Sequence, residues 1–219
     1  MKKYILALTV MAFMSTTVFA IVKPLRRDIK PASQVMLEKQ TITDAVIADP
    51  NRLLSAQATS SSVTTTVTSF LAQPDVGRAL SITPGSTTAD VPAGDIVITG
   101  VDMNNNTMSE TFTLSANESS IQNGTLAFLS VTSILFPVQD GAGEATYDIG
   151  VIDVLGLKRC MFNAGQVAWT VFDGAFETTR AVAVSDNDEI EKNTINFNGT
   201  LDGAKDGEVY FLQTFECLP

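Results

Sequence analysis

The sequence predicts an all-β protein: an antiparallel sandwich or barrel of roughly nine or ten strands, preceded by a mainly helical or extended N-terminal arm. Three observations carry this. Short apolar runs recur from Ser69 onward, with turn signals such as Pro84-Gly85, Asp173-Gly174, Asp202-Gly203 and Asp206-Gly207 between them. Only 17% of residues are charged, while Ser, Thr, Asn and Gly are common, as suits strands joined by polar turns. The stretch from Ala93 to Pro137 reads as three adjacent strands.

In that stretch Ile96, Ile98 and Val101 form an apolar run, and Asn104-Asn105-Asn106 break it. Met108, Glu110, Phe112 and Leu114 then alternate with Ser109, Thr111 and Thr113. Asparagine tolerates the left-handed backbone of a tight turn, so the two runs predict a hairpin. Gly124 opens a third run through Phe128, Val131, Ile134 and Phe136, which Pro137 closes and which packs beside the hairpin.

The chain divides into residues 1–22, a hydrophobic signal-like or anchoring segment; 23–60, a basic arm with short helices; and 61–219, the β-sandwich domain. Met1 to Ala20 pairs two lysines with an apolar run and a small-residue Val18-Phe19-Ala20 end, the pattern of a secretory signal cut after Ala20. Retention as a membrane anchor over Tyr4–Val22, or burial against a partner protein, are the other readings of the same residues. Thr41 to Ala58 has partial helical spacing at Ile42, Val46, Ile47, Leu53 and Leu54, interrupted by Pro50. Thr59–Thr68 reads as a linker or an edge strand. Extended segments are expected at Ala79–Ile82, Thr146–Val154, Val167–Phe172, Phe176–Val184, Thr194–Leu201 and Val209–Cys217, with Trp169 in the core.

The net charge of −10 is unevenly spread: residues 1–39 hold seven positive side chains against two negative ones, so a cationic arm precedes an acidic body. An acidic body repels phosphates, so direct nucleic-acid binding is not expected. The basic residues Lys23, Arg26, Arg27 and Lys30 of the arm, with the Lys158-Arg159 pair, are the candidate partner-binding residues, set against ordinary solvated surface charge. Cys160 and Cys217 are the only cysteines; two cysteines alone do not decide between a disulfide and, in a reducing compartment, two core thiols.

The absence of histidine excludes a Ser-His-Asp or Cys-His triad. No P-loop occurs, and no GxGxxG follows a strand. Asp140, Glu144, Asp148 and Asp153 are the carboxylates from which a sugar-cleaving pair would be drawn, but the last three have no special setting beyond turn or strand positions, and the structural reading is much the stronger. Asp186-Asn187-Asp188-Glu189 has oxygen ligands for a hard cation but lacks EF-hand spacing, and reads as an Asp/Asn turn. No enzymatic activity, cofactor or bound metal is expected.

Four segments in order, AQPDVGRALSI, GDIVITGVDMNNNTMSETFTL, GTLAFLSVTSILFP and YDIGVIDVLGLK, resemble a class of virion structural proteins of tailed double-stranded DNA bacteriophages. The matching residues are Gln73, Pro74, Asp75, Val76 and Arg78; Ile98, Thr99, Gly100, Asp102 and Ser109-Glu110-Thr111; Ala127-Phe128, Val131-Thr132-Ser133-Ile134 and Pro137; and Gly150, Asp153 and Leu155-Gly156-Leu157. Gly77 stands where that class has proline, Asn106 where a turn glycine is usual, and Lys158 where a proline closes the last segment. The resemblance implies a non-enzymatic capsid decoration or cement protein that binds major capsid protein or other virion proteins, as a homo-oligomer located in the virion. A head-to-tail neck or tail role is the alternative within that class. Outside it stand an exported bacterial β-sandwich, periplasmic or on the cell surface as an adhesin module, and an acidic carbohydrate-binding or hydrolytic domain. Membrane contact is expected only if Met1–Ala20 is retained as an anchor.

Overall fold

The computed structural model describes residues 36–85, 91–139 and 145–213. Fourteen strands follow in chain order: β1 (Met36–Ile42), β2 (Asp49–Ala58), β3 (Thr65–Val67), β4 (Arg78–Pro84), β5 (Gly94–Val101), β6 (Thr107–Leu114), β7 (Gln122–Asn123), β8 (Ser130–Phe136), β9 (Thr146–Gly156), β10 (Val167–Phe172), β11 (Ala175–Phe176), β12 (Val182–Val184), β13 (Thr194–Asn196) and β14 (Gly207–Gln213). Nine of them have six residues or more. The only helical pieces among the described residues are single 3-10 turns at Ala164–Gln166 and Ile190–Lys192. The protein is all-β and its sheets are antiparallel, as expected; one sheet curls into a half-barrel.

The strands form three sheets, ordered β1-β14-β10-β11, β12-β13-β9-β4-β7 with β2 also on β9, and β3-β8-β5-β6. The long strand β9 is the spine. Its first half alternates Tyr147, Ile149 and Val151 into a core shared with Leu53, Leu80, Ile82, Ile96, Ile98, Phe112, Phe128, Ile134 and Phe136. Its end sends Leu155 into a second core with Ile42, Leu157, Val167, Ile195, Phe197, Val209 and Phe211. One strand serves two cores in succession because it is long and twisted and because its register against β4 shifts between Val151 and Leu155. Burying each such side chain contributes about 1.5–3 kcal/mol.

The hairpin predicted around the asparagines is β5–β6, paired without interruption from Gly94↔Leu114 to Val101↔Thr107. The third run is β8, antiparallel to the other side of β5. Asp102 closes the turn: its Oδ1 accepts the N–H groups of Asn104 and Asn106, and its Oδ2 accepts the Asn106 side-chain amide. The left-handed residue is Asn105, with φ 64°, so the turn needs no glycine at 106.

Several expectations are corrected. Residues 41–58 contain strands rather than short helices, and β1 and β2 belong to the β domain, with Leu53 and Leu54 in its core. Pro50 is accommodated near the start of β2, and Ala56, with φ 47°, breaks the alternation that a helical reading exploited. Trp169 is not core: it lies on the outer side of β10, 37% exposed. The extended reading of Phe176–Val184 resolves into β11 and β12 separated by an irregular link. Thr59–Thr68 contributes the edge strand β3 on β8. The signal-like segment and the arm up to residue 35 lie outside the described residues, among which no helix is long and apolar enough to cross a membrane.

Candidate functional site

Arg78 opens β4 with its side chain fully buried. A buried guanidinium is tolerated only when its N–H groups and charge are matched. Here Nε donates to Ile152 O at 3.0 Å, and Nη1 donates to Val46 O at 2.7 Å and Asp75 Oδ1 at 3.0 Å. Nη2 donates to Asp153 Oδ1 at 2.9 Å. Asp75 Oδ2 also accepts the Val46 N–H at 2.7 Å. Burial pushes the Asp75 carboxyl upward, but the Val46 N–H and the Arg78 guanidinium outweigh it and hold the group below the usual carboxylate range.

The node extends through backbone. Arg78 and Phe128 exchange N–H···O bonds at 3.0 and 2.8 Å, and Gly156 N–H donates to Gly77 O at 2.7 Å. Gln73 clips Val131 with both ends of its amide, at 3.0 and 2.8 Å. A side chain at Gly77 would collide with Met103, whose sulfur fills the space above Gly77 and also lies over Gly156. Thus three of the four quoted segments meet at Arg78, through Asp75, Phe128 and Asp153, and the second joins them one residue away, where Met103 lies over Gly77. Spacing alone could not reveal this meeting, because Asp75, Phe128 and Asp153 lie on three different strands or loops. The available signal was an arginine three residues after an aspartate in an acidic chain.

The remaining candidates are placed separately. Arg159 Nε is paired with Glu38 at 2.9 Å. Lys158 is exposed, and its backbone N–H donates to Gln40. Lys23, Arg26, Arg27 and Lys30 lie outside the described residues. Of the four carboxylates considered for sugar cleavage, Asp153 is held by Arg78 and Asp148 accepts the Ala56 N–H at 2.6 Å, fixing the irregular residue of β2. Asp140 and Glu144 lie outside the described residues. The acidic turn is a turn: Asp186 Oδ1 accepts the N–H groups of Asp188 and Glu189, and Lys192 pairs with Glu189. Among the described residues no cluster of three or more His, Cys, Asp or Glu is placed to hold a metal ion. Cys160 is disulfide-bonded, which decides for Cys160 the choice that the sequence leaves open; Cys217 lies outside the described residues.

A surface feature was missed by periodicity. On the outer side of the β1-β14-β10-β11 sheet, Trp169 stacks on Tyr210 at 5.0 Å between ring centres. Tyr210 donates its hydroxyl to Glu208 at 2.6 Å, and Lys39 pairs with the other Glu208 oxygen at 2.9 Å. The Tyr210 hydrogen bond and Lys39 keep the Glu208 carboxyl low, while Glu208 raises both Tyr210 and Lys39. Phe176, beside Val171 on β11, is 70% exposed and continues this aromatic face. Around it lies a groove of about 380 Å³ lined by Phe172, Phe176, Glu177, Thr179, Asn198 and Gly199. Its carboxylate is committed: Glu177 accepts the Thr170 hydroxyl at 2.5 Å and the Asn198 N–H at 2.6 Å.

No protein-family model, curated protein or solved structure matches the chain.

Proposed function

We propose that the chain is a structural component of a tailed-phage virion, a capsid decoration or cement protein that stabilises the head by binding major capsid protein. The observation that supports this reading is that three of the four resembling segments converge on Arg78 and the second packs beside it through Met103 over Gly77. The matched residues are the ones that weld one β-block together, so the resemblance is concentrated where a shared scaffold would demand it. The exposed Trp169–Tyr210–Phe176 face supports a binding role, since aromatic side chains anchor protein interfaces. Many copies on symmetric sites gain strength by avidity, so no single contact need be tight. Cryo-electron microscopy and peptide mass spectrometry of purified particles test the proposal: the chain is expected in many copies on the shell, and its absence from particles would end it.

Two observations favour a second reading. A disulfide at Cys160 suits an oxidising compartment, and the Met1–Ala20 pattern suits export, so an exported β-sandwich surface module is the competitor. Mass spectrometry of the mature N-terminus separates them: a chain beginning at Ile21 supports export, an intact Met1 supports assembly inside the cell.

A further inference from the structure

We propose that β6 is a self-association edge, at which two copies of the chain join their β3-β8-β5-β6 sheets into one continuous antiparallel sheet. The proposal stands on the edge geometry alone and holds whether or not the chain belongs to a virion.

β6 ends its sheet and has β5 as its one strand neighbour among the described residues. The hydrogen-bond phase of the hairpin can be read from its turn. Asp102 N–H donates to Asn106 O at 2.9 Å, which makes 102/106 a bonded pair. Bonded and non-bonded pairs alternate along an antiparallel ladder. Met108, Glu110, Phe112 and Leu114 therefore turn their backbone groups toward β5. Thr107, Ser109, Thr111 and Thr113 turn theirs away. The other side of β5 agrees: Val101, opposite Thr107, gives its carbonyl to Leu129 N–H on the β8 side. Four N–H and four C=O groups thus line an open edge about 20 Å long. The same four residues carry the exposed side chains, all of them hydroxyls.

An open edge invites pairing, and proteins normally blunt it with charge, proline, bulges or brevity. The other sheet margins here show those devices. β1 carries Glu38 and Lys39; β2 holds Pro50 and two register shifts. β3, β7, β11 and β12 are two or three residues long. β6 has eight residues, no proline, no bulge against β5, and one charged residue, Glu110, whose carboxylate is turned back onto the amides of Thr125 and Leu126.

The occupant that fits is a second copy. With a net charge of −10, two copies repel across most of their surfaces. The Thr107, Ser109, Thr111, Thr113 row is uncharged and can oppose itself. A two-fold axis at Thr111 sets Thr111 against its own counterpart and Ser109 against Thr113 of the second copy, pairs of hydroxyl residues that stabilise neighbouring strands. The same axis puts Glu110 beside Phe112 and away from the other Glu110. Such a contact falls short of the about 800 Å² per partner of a standard interface, so the dimer forms as concentration rises.

Sedimentation of the full chain from about 1 μM to about 1 mM tests this. The expected result is a weight-average mass that climbs toward twice the monomer. Thr111→Pro removes an outward N–H and no bond to β5, so it is expected to stay monomeric with an unchanged far-ultraviolet spectrum. Thr111→Cys is expected to give a cross-linked dimer on oxidation, which pairing with a foreign strand would not. If Thr111→Pro misfolds, hydrogen exchange on the wild-type chain decides: the amides of Thr107, Ser109, Thr111 and Thr113 are expected to gain protection at high concentration. A monomer at every concentration, a dimer insensitive to a folded Thr111→Pro, or no concentration-dependent protection at those amides overturns the proposal.

Discussion

Arg78 has no exposed surface and is held by two carboxylates and two carbonyls from different parts of the chain. Replacing it with methionine keeps much of the volume but strands Asp75, whose side chain is only 13% exposed, without its counter-charge. Breaking one partner of a buried pair costs about 3–5 kcal/mol, so Arg78→Met is expected to lower the urea midpoint by that equivalent. The pair also sets an acid limit. The folded Asp75 carboxyl sits below its unfolded value, so its stabilisation is complete above about pH 4 and is lost as pH falls through the folded pKa. Glu110 has the opposite sign. Burial pushes its carboxyl up despite bonds from Thr125 and Leu126, and its Oε2 is buried without a partner. The folded state therefore holds the proton more tightly than the unfolded chain, and stability falls as pH rises through that window. Glu110→Gln retains the acceptor for Thr125 and Leu126 and removes the charge. It is expected to raise the melting temperature at pH 7, with the gain fading below about pH 4, as thermal scans across pH would read.

At the level of elements, the β5–β6–β8 meander was legible because two signals agreed there: alternation of period two and an asparagine turn. β2 was not, because Asp49–Ala58 does not alternate. Its burial runs Leu53 and Leu54 together, and Ala56 adopts a positive φ held by Asp148. A strand bent this way mimics helical spacing, and only its partner reveals it. That partner approaches closely at Gly150 of β9, where a Cβ would overlap the backbone of Asp49 and Pro50. Backbone cannot step aside as a long side chain can, so Gly150→Ala is expected to cost about 3 kcal/mol by overpacking. Gly77→Ala meets the mobile end of Met103 instead, and a denaturant titration of both variants should rank Gly150→Ala as clearly the more harmful. Trp169 was misread for a related reason: VAWTVF is apolar at every position but Thr170, and the register shift between Val167 and Trp169 turns Trp169 outward. The Arg78 node was legible only as residue types, since the contacts that make it join positions up to 75 apart in sequence.

At the scale of the whole molecule, the carboxylates considered for catalysis that the described residues contain, Asp148 and Asp153, are used to hold the chain together. What remains outward is an aromatic face on one sheet and an unpaired edge on another. Those are the surfaces to which the proposed contacts with other chains are assigned, and the proposed cement role turns on what such contacts do for a shell. A cement protein binds after the lattice exists and adds many weak contacts to it, so its loss should leave assembly intact and lower the shell's resistance to stress. A neck or tail component would behave otherwise, because a missing connector interrupts the particle at one place. On the proposed cement role, particles that lack the chain should therefore be full-sized, tailed heads that release DNA at lower temperature or on osmotic shock. Adding back purified protein should restore resistance, and Trp169→Ala with Phe176→Ala should reduce that restoration while leaving the melting temperature nearly unchanged, since both side chains lie outside the two cores. Tailless heads would move the chain to the neck, and particles indifferent to its loss would remove it from the shell.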